Sequence, residues 1–258
     1  MDEEKQARAR SFFVRNDLEL ADLWLALKKG WQDYRTYPAF GLLLSALFVI
    51  GGLAISYSLI SRGETVWLVP ATAGFPILAP FTAVGLYEVS RLREARMRPD
   101  WKAVLSAMKG RGDDQILSMG VIIFVTFGFW MIVAHGVYAI FLGNSGIGSD
   151  PTAILTTPNG LAMLAIGSLV GGLMALGFYA ITVMSLPILV HRDVDVLTAI
   201  ITSLQAIRDN RGVLLLWAFL VAGLLGLAMI PAFFGLLVIL PVLGHATWHL
   251  YRRTVQST

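Results

Sequence analysis

The chain has 258 residues, of which 56% are apolar and only 14% charged, against about 45–50% and about 25% in soluble domains. A mean hydropathy of +0.69 excludes an ordinary soluble domain and makes hydrophobic spans of about 20 residues the unit to count. Cysteine is absent, which excludes disulfides, thiolate metal sites and cysteine nucleophiles. The basic pI near 9.3 points to anionic lipid headgroups, and not to nucleic acid, because Lys and Arg are distributed as membrane topology would place them.

In chain order, the first 37 residues are charged and offer no secretory h-region. Within them Asn16-Asp-Leu-Glu19 predicts the start of an amphipathic helix, with Asn16 as cap, Glu19 at the capping-box position, and Leu20, Trp24, Leu27 and Trp31 on one face. Long uncharged runs then predict six membrane spans, at about 38–60, 66–90, 116–142, 162–190, 213–230 and 232–251. The last two are separate spans only if the chain turns near Ile230-Pro231. A second amphipathic helix starts at Asp100, with Trp101, Val104, Leu105 and Met108 apolar. A third starts near Asp193 or Asp195, with Leu197, Ile200, Ile201, Leu204 and Ile207 apolar. All three end at a breaker, at Thr36-Tyr-Pro38, Gly110-Arg-Gly112 and Asn210-Arg-Gly212.

Of the twenty Lys and Arg, only Arg62 falls in an odd-side loop; the other 19 lie on the side shared by both termini. The positive-inside rule therefore predicts both termini in the cytoplasm. The pattern of one amphipathic helix and two spans recurs three times, over 16–90, 91–192 and 193–253. The second unit is longer by an outer glycine-rich insertion at 143–160. The expected fold is a single all-α polytopic bundle with six spans, three cytoplasmic amphipathic helices and a threefold repeat.

Four stretches, APFTAVGLYEVSR at 79–91, SLPILVHRDVD at 185–195, AIITSLQAIRDNRG at 199–212 and LPVLGHATWHLYR at 240–252, together resemble a bacterial family of inner-membrane proteins known only as a domain of unknown function. The resemblance runs from about residue 20 to 252. It implies six spans in a bacterial inner membrane and no activity. Members are sometimes labelled cytochrome-oxidase subunit I-like, but an oxidase core needs more histidine ligands than the four in this chain.

The polar residues within the spans are the candidates for chemistry. His245 and His249 share a helix face at i, i+4, the spacing of two metal ligands. Depth argues otherwise: His249 falls at the inner interface beside Trp248 and Arg252, and these three read as interfacial anchors, as do Trp24, Trp31 and Trp101. His245 lies about 9 Å from the inner end at about 1.5 Å per residue, and an ionisable group there is expected to face a bundle interior or wet cavity. With Glu88 and His191, which belong to the same end, it forms the candidate polar site. Glu88 can pair instead with Arg91 at i, i+3. His135 belongs to the opposite end, so a metal or haem site that uses all four histidines is not expected, and no cofactor is assigned. Gly143-Asn-Ser-Gly146 resembles the GxSG motif of rhomboid proteases, but Ser145 lies in an insertion loop far from His245. Gly167 and Gly171 form a small-residue face for close helix packing, within the chain or in a homo-oligomer.

With no dense catalytic motif, the sequence favours a non-enzymatic partner or assembly factor of a membrane complex. The alternative is a small-molecule or ion transporter that uses the inner polar residues and the prolines of the second span, Pro70, Pro76 and Pro80.

Overall fold

The computed structural model describes residues 12–68, 71, 74, 79–107, 115–143 and 151–257. The helices are α1 (Leu20–Thr36), α2 (Pro38–Ser61), α3 (Ala79–Glu94), α4 (Trp101–Ala107), α5 (Gln115–Leu142), α6 (Pro151–Thr156), α7 (Pro158–Thr182), α8 (Ser185–His191), α9 (Val196–Asp209), α10 (Arg211–Met229) and α11 (Leu236–Thr254). Two short strands, β1 (Phe12–Val14) and β2 (Val255–Ser257), pair antiparallel and tie the two ends of the described chain together.

Among the described residues four helical segments are long and apolar enough to cross a membrane: Pro38–Ser61, Gln115–Leu142, Pro158–His191 and Arg211–Met229. Their apolar character carries them into lipid, since a helix satisfies its own backbone polar groups there. The expected second span lies partly outside the described residues, as do Pro70, Pro76, Met108, Arg111 and Ser145. The chain does turn after Met229, through Ala232 and Phe233 at positive φ, before α11 begins.

The helix starts follow their caps. Asp100 accepts from the Ala103 amide at 2.7 Å, and Asp195 from the Thr198 amide at 2.8 Å. At α1 the cap is Glu19, not Asn16. Asp22 closes the capping box by accepting from the Glu19 amide, so the helix begins one turn later than Asn16 alone would place it.

At one end of the bundle the last turns of α3, α8 and α11 pack on one another, and each carries one amphipathic helix: α4 on α3, α9 on α8, and α1 on α11. Residues 82–90, 183–190 and 243–251 are buried without interruption. Where α7 breaks into α8, Ser203 of α9 donates to the Ala180 carbonyl at 2.7 Å and accepts from the Met184 amide at 3.2 Å, so the groups freed by the break are satisfied.

Helices α1 and α11 approach closely. A Cβ on Gly30 would stand 2.6 Å from the Val242 carbonyl oxygen and 2.7 Å from the Ala246 amide nitrogen, so the two backbones touch only because that position is glycine. Near the other end of α1, Asp22 and Asp17 each accept from Arg253 at 3.0 Å. Helix α1 thus runs antiparallel along α11 with Leu23, Ala26, Gly30 and Asp33 inward.

Candidate functional site

Gly30 brings α1 so close to α11 that Asp33, one turn on, is carried into the interior at 0% exposure. A bare carboxylate there would be prohibitively costly, and three side chains answer it directly, with a fourth behind them. Ser90 of α3 donates to Asp33 Oδ2 at 2.6 Å, and His249 Nε2 of α11 lies 2.8 Å from the same oxygen. Arg93 of α3 pairs with Oδ1. His245 Nδ1 stands 2.8 Å from Ser90 Oγ. Because the single Ser90 proton is given to Asp33, the proton of this last bond belongs to His245 Nδ1.

The network continues outward. His249 Nδ1 lies 3.3 Å from Glu94 Oε1, and Glu94 Oε2 accepts from Arg252 at 3.1 Å. Burial by itself would raise the Asp33 carboxyl, but the hydrogen bond and charge of His249 and the hydrogen bond of Ser90 outweigh it and hold the group below its ordinary value. Glu94 is lowered in the same way: burial opposes, while His249 and Arg252 prevail. Two carboxylates flank the imidazole of His249, and each is also paired with a guanidinium, Asp33 with Arg93 and Glu94 with Arg252, so that α1, α3 and α11 are joined.

The three residues expected to form a polar site each have a partner of their own. His245 is fully buried and reaches Asp33 through Ser90. Glu88, 4% exposed, takes two bonds of 2.6 Å from Arg91, a pairing that raises the Arg91 guanidinium further, through that hydrogen bond first. His191 Nδ1 lies 2.8 Å from the Tyr251 hydroxyl and packs edge-on to Trp248. Asp33, Ser90, Arg93 and Glu94 were not singled out by the sequence; the only local signal is that Asp33 shares a helix face with Ala26 and Gly30.

The expected interfacial anchors divide. Trp24 is 72% exposed and Trp31 and Trp101 are partly so. Trp248, in contrast, is fully enclosed by protein, against Tyr87 of α3 and His191 of α8, and His249 is buried against Asp33 of α1. Arg252 remains exposed. Gly171 backs onto Trp130 of α5, where an added Cβ would lie 2.6 Å from Cη2, and Gly167 faces Val137, so the small-residue face packs α7 against α5 within the chain. His135 stacks on Trp67 with ring centroids 5.2 Å apart.

Two cavities, of about 500 and 600 Å³, lie around Trp67 and Trp130, and neither is lined by Asp33, Ser90, His245 or His249. Among the described residues no group of three His, Cys, Asp or Glu is placed to hold a metal ion.

Residues 68–191 match the family model described as predicted integral membrane protein, DUF2189. The match takes in α3 to α8, and thus Ser90, Arg93 and Glu94. No curated protein and no solved structure matches the chain. It is an integral membrane protein with several apolar helices.

Proposed function

We propose that this protein is a non-enzymatic component of the bacterial inner membrane that assembles with, or supports, another membrane complex. The observation that carries this reading is the use made of Asp33: both of its oxygens are spent on protein donors. A catalytic or ion-carrying carboxylate needs a lone pair facing its substrate. The cluster does the work of a lock, fastening α1 to the ends of α3 and α11.

In this reading the chain crosses the membrane six times, with 66–90 and 232–251 added to the four candidate spans, and both termini are cytoplasmic. The threefold repeat over 16–90, 91–192 and 193–253 is supported by the packing of the amphipathic helices. Each rests on the second arm of the preceding unit, and the first rests on the last, closing a ring.

The test is purification in native lipid with crosslinking. A reproducible membrane-protein partner or homo-oligomer is expected; a clean monomer would contradict the proposal. The transport alternative is favoured only by the burial of Glu88, which Arg91 already neutralises. Proteoliposome flux that is abolished by Glu88→Gln and by His245→Ala would restore it.

A further inference from the structure

Helix α1 turns its large apolar residues away from the protein. Leu20 is 63%, Trp24 72% and Trp31 44% exposed, while Ala26, Gly30 and Asp33 face α11. At about 100° per residue, Leu20, Trp24, Lys28, Trp31 and Arg35 fall within an arc of about 80°. Lys28 and Arg35 are both exposed. No carboxylate shares the stripe, since Asp22 and Asp33 are turned inward and bonded.

Helix α9 repeats the arrangement, with Leu197, Ile201 and Leu204 outward and Ala199, Ser203 and Ala206 buried. Small residues inward and large apolar residues outward is how helices pack when their surroundings are hydrocarbon; in water the same surface would be an aggregation liability. Position supplies the occupant. Only Tyr37 separates the end of α1 from Pro38, the first residue of the candidate span α2. The outward face of α2 continues with exposed Leu42, Leu43 and Leu47.

We propose that the α1 stripe lies in the leaflet from which α2 starts, with Leu20, Trp24 and Trp31 at the acyl boundary and Lys28 and Arg35 reaching up to bind anionic lipid phosphates. This surface is independent of the assembly reading, which concerns what the whole chain binds.

The chain has no cysteine, so single labels can be placed cleanly. Spin labels at Ala21→Cys and Gln32→Cys, which flank the stripe, are read in nanodiscs for collision with oxygen and with a water-soluble nickel chelate. Oxygen access with protection from nickel is expected. Nickel access would put the stripe in water, and shielding from both would put a protein on it; either result overturns the proposal. In a second arm, nanodiscs of phosphatidylglycerol should raise the melting temperature over phosphatidylcholine by about 4 °C. Lys28→Gln with Arg35→Gln should remove most of that gap, and free inorganic phosphate should not reproduce it in phosphatidylcholine. Equal melting in both lipids, or rescue by free phosphate, overturns headgroup binding.

Discussion

Asp33 and His249 stand 216 positions apart in the sequence and are joined by a hydrogen bond of 2.8 Å. Through that bond a helix near the start of the chain holds the last helix, and Ser90 adds α3 to the same carboxylate.

Replacing the carboxylate by an amide removes the charge that Arg93 and His249 meet and turns one of its two acceptor oxygens into a donor. Breaking one side of a buried pair costs roughly 3–5 kcal/mol. The Arg93 side chain is 35% exposed, so water recovers part of that. Asp33→Asn is expected to cost about 2–3 kcal/mol, read as a fall in melting temperature in nanodiscs. Ser90→Ala, which removes one of the three bonds to Asp33 together with the link to His245, should cost about 1–2 kcal/mol.

Glycine at position 30 is a packing requirement. Alanine has the better helix propensity by about 1 kcal/mol, yet its methyl group would meet backbone atoms of Val242 and Ala246 that cannot step aside. Gly30→Ala should therefore destabilise by about 1–3 kcal/mol. Gly172→Ala on α7 is the control. Nothing lies within 4 Å of the added carbon, so that variant should melt at the wild-type temperature or slightly above.

Acid should loosen the lock. Asp33 and Glu94 are both held below their ordinary values of 3.8 and 4.5, so below about pH 4.5 the unfolded chain takes up protons that the folded chain resists. The stability they supply is complete above that point and is lost as pH falls through the lowered folded-state values. Melting temperature measured from pH 5 down to pH 3 should decline, and Asp33→Asn should flatten the decline.

The four candidate spans and the caps at Asp100 and Asp195 were legible in the sequence because each depends on residues close together: a run of apolar side chains, or a carboxylate three residues before an amide. The candidate site was legible only in part. His245 and His249 declared themselves as polar groups on an apolar helix, but their partner Asp33 sits in GWQDYR, where an acid beside polar neighbours reads as solvated. What hid it is the direction of α1. Periodicity shows that one side of a helix is apolar, and in a soluble protein that side faces the core. Here the apolar side faces outward and the side with Ala26, Gly30 and Asp33 faces α11, so the acid on the polar face is the buried one. Trp248 is enclosed by Tyr87 and His191, which come from distant parts of the chain, so nothing local announces its burial.

Asp33 and His249 act on each other as a structural lock, and a double-mutant cycle measures their coupling. Melting of wild type, Asp33→Asn, His249→Gln and the double variant is followed in nanodiscs of one composition. The two single effects should overlap, so that the double variant falls short of their sum by about 1–3 kcal/mol. Strict additivity, with each substitution costing the same whether or not the other is present, would contradict the lock.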